Sequence, residues 1–285
     1  MRVQKDLEAV GGKGYDTSVA LQCLGAPNLA LGCIAGRSGE ALCALLDGYG
    51  IRHDLLWVEG ETRIAHVIIE TRHRRHSHIT SIGYTLTGGD VAELLARYRR
   101  HLPAAKWVVL AGAAALGAPA DLYRTQVELA NAAGVPALTD CHSEPARLAA
   151  QARPAIHKMN RAELAATYGV SGGSIPELER AVRDLAARLD LPALVITCGA
   201  DGILAVTRAG SFLATVPHQE EVNAAGAGDA VSAALAWRLG AGDDWPAALQ
   251  WAGAAGAATV LTERTAESRP EDVQRLHPQV RVASL

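Results

Sequence analysis

Aromatic residues are scarce: five Trp, six Tyr and one Phe make up 4% of the 285 residues. A core of this composition must close on Val, Ile, Leu and Ala, and with 49% hydrophobic residues there is ample material for a large one. A charge excess is also missing. The 27 basic residues against 30 acidic give a net charge near −3, which excludes the positive field that grips nucleic acid or an anionic membrane. No two of the five cysteines (Cys23, Cys33, Cys43, Cys141, Cys198) form a C-x-x-C pair, and their odd number argues against a disulfide framework. There is no apolar leader over residues 1–10, and the longest charge-free apolar stretch, 107–120, is too short to span a bilayer. A cytoplasmic protein is expected.

The remaining pattern is an alternation. Short apolar runs at 107–111, 136–140, 155–158 and 193–197 read as buried strands, and helical periodicity appears at 120–133, 144–151, 161–168 and 175–189. Strands that are apolar throughout belong to a parallel sheet covered on both faces, so a doubly wound, mostly parallel α/β sheet flanked by helices is expected. Between residues 55 and 84 the alternation breaks. Two strand patterns, 62–70 and 76–82, flank the polar turn 71–75, which predicts an antiparallel hairpin on the edge of the main sheet, placed to act as a lid. The histidines and arginines of 72–78 read as its solvated tip. Alanine-rich segments at 225–239 and 245–261 predict two closely packed helices. No repeat or low-complexity linker interrupts the chain, so residues 1–285 are expected to form one domain with the hairpin inserted in it.

The chemistry centres on Gly226, Ala227, Gly228 and Asp229, which follow a turn-like segment and open a helical pattern. Unpaired N–H groups and the positive end of the helix dipole make such a start an anion site, and small residues let phosphate oxygens approach. Asp229 in that turn could take the proton of an attacking hydroxyl while the amides stabilise charge on a phosphoryl group. The same residues taken alone are also a helix cap with packing glycines.

Other segments decide between these readings. Gly11, Gly12, Lys13 and Gly14 place a cation among unhindered glycines. Asn160 and Glu163 have the spacing of a capping box, and Gly199 and Gly202 that of a turn. In this order, with Thr197 leading the third segment and Gly226 to Asp229 the last, they resemble the signature of the ribokinase-like (PfkB) carbohydrate kinases. The subgroup that phosphorylates fructose 1-phosphate or tagatose 6-phosphate is nearest, through Arg63 and the runs 107–112 and 135–140.

That resemblance implies ATP-dependent phosphorylation of a sugar or sugar phosphate, with Asp229 as catalytic base beside Gly226, Ala227 and Gly228. It further implies that Gly11, Gly12, Lys13, Gly14, Asp16 and Arg63 bind the sugar. Lys158, Asn160, Thr197, Gly199 and Gly202 would hold ATP, and Asn160 and Glu163 would organise Mg²⁺ through water. A homodimer joined through the lid is expected, with no nucleic-acid or membrane partner. The sugar side departs from the family. Only ten residues precede Gly11, too few for the family's first strand and its sugar-binding Asp, and that loss is expected to leave unpaired strand edges. Asp16 stands where the family has Asn, and Ala65 where the subgroup has Asn. The alternatives are a nucleotide- or sugar-binding paralogue with impaired catalysis, and a kinase for a free sugar or nucleoside.

Overall fold

The computed structural model describes residues 6–70 and 75–285. The chain runs through α1 (Lys13–Cys23), β1 (Leu29–Ile34), α2 (Gly36–Gly48) and β2 (Arg52–Trp57), then the hairpin β3 (Ala65–Glu70) and β4 (Arg75–Thr80). Helices and strands then alternate: α3 (Gly88–His101), β5 (Val108–Ala111), α4 (Leu122–Ala132), β6 (Ala137–Asp140), α5 (Ser143–Gln151), β7 (Ile156–Asn160), α6 (Arg161–Tyr168), α7 (Ile175–Arg188) and β8 (Ala193–Thr197). After β9 (Ile203–Thr207) and β10 (Gly210–Thr215) come α8 (Ala227–Gly240), α9 (Trp245–Thr259), α10 (Pro270–Leu276) and β11 (Arg281–Ser284).

Seven strands form the main sheet in the order β11-β10-β9-β8-β7-β6-β5, parallel from β5 to β8 and antiparallel beyond. Every residue of β6 and the first four of β7 and β8 are buried, because helices cover both faces. On one side α5, α6 and α7 close clusters around Leu164, Leu178, Leu185 and Leu194. On the other, α1, α8 and α9 pack around Leu235 and Leu249. Residues 229–236 of α8 are buried without a break, as befits a helix held between the sheet and an outer helix layer. Its neighbour α9 comes close because Gly256 has no side chain: a Cβ there would lie 3.1 Å from Val231 Cγ2 and 3.3 Å from the Ala227 carbonyl.

Two features depart from a continuous sheet. Strands β1 and β2 pair in parallel as a separate two-stranded sheet, and no hydrogen bond joins β1 to β5 among the described residues. Side-chain hydroxyls supply donors at the edges this division leaves. Tyr84 and Tyr15 donate to the Cys33 carbonyl of β1 at 2.8 and 3.3 Å, and Tyr123 donates to Ala111 of β5 at 3.1 Å. The hairpin is the second departure and a correction: among the described residues β3 and β4 pair only with each other rather than on the edge of the main sheet. The hairpin pattern predicts pairing between its own strands but says nothing about which edge is free to receive them. The tip residues 71–74, which carry part of the histidine and arginine cluster, lie outside the described residues. Among the described residues no helix is long and apolar enough to cross a membrane.

Leu235 is fully buried at the centre of α8. Replacing it with Ala removes that packing and leaves a cavity, so Leu235→Ala is expected to lower unfolding free energy by about 2–5 kcal/mol. The shift of the urea midpoint measures it.

Candidate active site

Strands β5 to β8 end at one side of the sheet, and the first turns of α1, α6 and α8 meet there, in the crevice where open α/β sheets bind ligands. The organising residue is Asp140, the last of β6. It has no solvent exposure, yet its carboxylate binds Lys13 Nζ at 2.8 Å and Lys158 Nζ at 2.6 Å. Ser232 of α8 donates a third hydrogen bond to it at 3.0 Å. Burial alone would push its proton affinity up, but Lys158 and Lys13 outweigh burial and hold the carboxyl below the usual range.

Each lysine reaches further. Lys13 donates to Glu163 Oε1 at 2.7 Å, so one ammonium ties α1 to β6 and α6. Burial lowers its proton affinity, while Asp140 and Glu163 more than restore it and fix the ammonium form. Lys158, almost wholly buried, donates to the Gly228 carbonyl at 2.9 Å and anchors the first turn of α8. Glu163 returns its other oxygen to the Asn160 backbone N–H at 2.8 Å, and the Asn160 side chain accepts from Glu163 N at 2.8 Å. This reciprocal pair is the capping box expected from the spacing.

Beneath the lysines a second polar chain locks the strands. Thr139 Oγ1 lies 2.7 Å from His157 Nδ1, and His157 Nε2 lies 3.1 Å from the Tyr168 hydroxyl. Thr139 and His157 are register partners of β6 and β7, so the same pairing brings Asp140 beside Lys158. Burial pushes the His157 imidazole down to about 4, which keeps it neutral in the core.

The start of α8 differs from those of α3, α6, α7 and α9. Thr87, Asn160, Ser174 and Asp244 cap their helices through side chains, but α8 begins at Gly226, whose φ of 83° is left-handed and which offers no side-chain cap. A Cβ at Gly226 would run into Ala266. The Ala227 N–H reaches the Ala224 carbonyl at 3.3 Å, while the Gly228 and Asp229 N–H groups have no protein acceptor among the described residues and are left for a ligand. Asp229, in that turn, is 7% exposed. Burial pushes its carboxyl up to about 7, with Asp140 and Glu163 adding to the rise and Lys158 and Lys13 opposing it. Helix α1 also starts on glycine, Gly12, without a side-chain cap, and carries Asp16 in its first turn.

The expected site residues thus fall into groups. Lys13, Lys158, Glu163, Gly228 and Asp229 are brought together, with Gly11, Gly12, Gly14 and Asp16 at the start of α1 beside them and Gly226 and Ala227 opening α8. Asn160 and Thr197 end neighbouring strands in register, and Gly199 and Gly202 bound the turn into β9. A Cβ at Gly202 would run into the Ala214 carbonyl, so this turn requires glycine. Arg63 stands apart: it is exposed and packs against Gly83 beside the hairpin, away from the lysine cluster. Sequence reasoning missed Asp140 and Ser232. The one available signal was an acidic residue closing an apolar strand at the carboxyl end of a parallel sheet.

The donor set also bears on a metal ion. Among the described residues no three His, Cys, Asp or Glu side chains gather as a ligand cluster. Both Glu163 oxygens are engaged, by Lys13 and by the Asn160 N–H. Asn160 and Glu163 therefore fit a hydrated Mg²⁺ held through water and phosphate oxygens, the way this ion usually binds.

Comparison with known proteins finds relatives by sequence and by fold. Residues 1–272 match the pattern of the pfkB family carbohydrate kinases. A 1-phosphofructokinase of Borreliella burgdorferi is 27% identical over 278 residues, which cover 96% of this chain and 88% of that protein. Among solved structures, phosphofructokinase-2 from Escherichia coli in complex with fructose-6-phosphate superposes with a TM-score of 0.84 at 19% identity, covering 94% of this chain and 86% of that one. Arabidopsis thaliana ribokinase complexed with ribose and ATP gives 0.79 at 20% identity, covering 97% and 90%.

Asp140→Asn leaves the buried Lys158 ammonium without its counter-charge and the part-exposed Lys13 with Glu163 alone, and is expected to cost about 3–5 kcal/mol of stability at neutral pH. Because the folded state lowers the Asp140 proton affinity, its contribution is complete above the ordinary carboxylate range near 4 and lost as pH falls through the lower folded value. The gap between the two proteins in urea unfolding should therefore narrow below about pH 4.

Proposed function

The chain belongs to the pfkB family of carbohydrate kinases, ATP-dependent enzymes that phosphorylate sugars, and from that premise we propose that Asp229 is the base for transfer to a ketose phosphate such as fructose 1-phosphate. The observation that carries this is the pairing, in one turn of α8, of uncapped N–H groups with a buried carboxyl poised near neutrality. A base is most effective when its proton affinity sits near the working pH, and phosphoryl transfer needs positioning and charge stabilisation more than covalent chemistry.

The nucleotide lies along Thr197, Gly199 and Gly202 with Lys158 and Asn160 beneath it, and its γ-phosphate meets the amides of Gly226, Ala227 and Gly228. Asp229 accepts the proton of the acceptor hydroxyl as that oxygen bonds to the γ-phosphorus and the bond to the β-phosphate oxygen breaks. ADP leaves with the bridging oxygen and its electron pair. Asn160 and Glu163 would hold Mg²⁺ through water, and the ion would neutralise the phosphate charge. The acceptor lies against Gly11, Gly12, Lys13, Gly14 and Asp16. Its own phosphate points towards Arg63, the arginine at the foot of the hairpin, and β3–β4 closes over it as a lid on a single domain. Five cysteines free of disulfides suit a cytoplasmic enzyme.

The hairpin also has a partner in this reading. Ile68 and Ile79 share one face of the hairpin by their register and are 39% and 58% exposed, and Ile82 just beyond is 84% exposed, so this face packs against the same hairpin of a second copy. Ile79→Asp is expected to shift sedimentation from dimer to monomer; a wild-type protein that is monomeric at micromolar concentration contradicts the arrangement.

Asp229→Asn keeps the shape of the turn and removes the base. It should lower kcat by roughly 100- to 10,000-fold while affinity for a non-hydrolysable ATP analogue stays within about twofold. The wild-type rate should rise with pH through about 7, as the Asp229 carboxyl ionises, and the variant should lack that limb. A variant that turns over at the wild-type rate contradicts the assignment.

A further inference from the structure

Four carboxyl groups but only two ammonium groups are gathered at the site. Asp140, Glu163, Asp229 and Asp16 share the site with Lys13 and Lys158, and the hydrogen bonds divide those cations unevenly. Asp140 takes both lysines and Glu163 takes Lys13. Asp16 takes neither. It lies on α1, which packs along α8, so the carboxyls of the two uncapped first turns share one end of the helix pair. Asp16 is 5% exposed, the Gly12 N–H is the one hydrogen bond identified for its carboxyl, and its Oδ1 is buried with no partner at all. An ionised carboxylate in that position is costly, because nothing offsets its loss of water.

We propose that Asp16 works as an uncharged carboxylic acid that donates a hydrogen bond to an oxygen of the sugar acceptor next to the hydroxyl that Asp229 deprotonates. The idea rests on Asp229 being the base. Like charges in one buried site cannot both form readily, so the first proton leaves the carboxyl with the better surroundings. Asp229 has Lys158 of β7 and Lys13 of α1 in its favour, against Asp140 of β6 and Glu163 of α6. The face of α9 towards α8 offers alanine and glycine and brings no titratable group. Asp16 faces no cation among the described residues: burial raises its proton affinity well above the ordinary value, the Asp229 charge raises it further, and the Gly12 N–H opposes only in part. Asp229 thus gives up its proton while Asp16 keeps one. A neutral acid can both donate and accept, which suits a hydroxyl or ring oxygen of the acceptor, and it adds no charge against an incoming phosphate. Loss of its proton at alkaline pH would remove the donor and place a second negative charge beside Asp229.

Aspartate-selective ¹³C labelling of the whole chain reads this directly through the side-chain carboxyl carbons, with no substrate present. One carbon should remain in its protonated position through neutral pH, disappear in Asp16→Asn, and titrate at lower pH in Asp229→Asn once the neighbouring charge is gone. If every aspartate is ionised at pH 7, or if the Asp16 signal is unmoved by Asp229→Asn, the proposal is overturned. The unsubstituted spectrum decides the first point even if a variant fails to fold. Turnover of fructose 1-phosphate with MgATP supplies the second readout. Asp16→Ala should raise KM about tenfold, the worth of one hydrogen bond, whereas Asp16→Asn, a neutral donor, should raise it less and lose the alkaline fall of kcat/KM. An Asn variant as impaired as the Ala variant, or one that keeps the alkaline limb, contradicts the role. Failure of the base assignment itself would show separately, as undiminished turnover in Asp229→Asn.

Discussion

The buried carboxylate of Asp140 is the constraint on which the site depends. One residue at the end of β6 holds Lys13 of α1, Lys158 of β7 and Ser232 of α8, and through Lys13 it reaches Glu163 of α6. Two ammonium groups and a hydroxyl make its burial tolerable, and its burial keeps the lysines in fixed positions. Side chains from five helices and strands thereby converge on the crevice within hydrogen-bond distances. The Thr139, His157 and Tyr168 chain below sets the β6–β7 register that puts Asp140 beside Lys158.

This arrangement divides the labour among helix ends. At α3, α7 and α9, which begin away from the chemistry, Thr87, Ser174 and Asp244 close the first turn. Helices α1 and α8 begin on glycine and stay open, each with an aspartate in the first turn. The lysines stabilise Asp140 and Glu163 first, and the uneven remainder separates the two open-end carboxyls into one that ionises near neutrality and one that keeps its proton. A single excess of negative charge, distributed by which groups the lysines reach, accounts for both roles.

Much of this was legible in the sequence because it is local. Strand β8 and helix α6 fall where the apolar run and the capping spacing place them, and Asn160 with Glu163 forms the reciprocal cap. The glycines at 226 and 228 and Asp229 open a helix as their pattern implies. What the sequence hid is long-range. Asp140 is a single acid after an apolar run, and its partners lie 127 and 18 residues away. The hairpin's internal pairing follows from its alternation, but its separation from the main sheet depends on where other edges lie. Asp16 by residue type is an acceptor-only anion; only its burial, and the absence of a cation beside it, recasts it as a neutral donor.

The central claim is spatial: phosphoryl donor and acceptor meet over the first turn of α8. A crystal structure of the ternary complex with a magnesium-bound, non-hydrolysable ATP analogue and fructose 1-phosphate tests it most directly. The account predicts the γ-phosphate at the N–H groups of Gly226, Ala227 and Gly228, with an acceptor hydroxyl in line with it and about 2.6–3.2 Å from Asp229. A γ-phosphate bound elsewhere, or an acceptor with no hydroxyl in reach of Asp229, would contradict it.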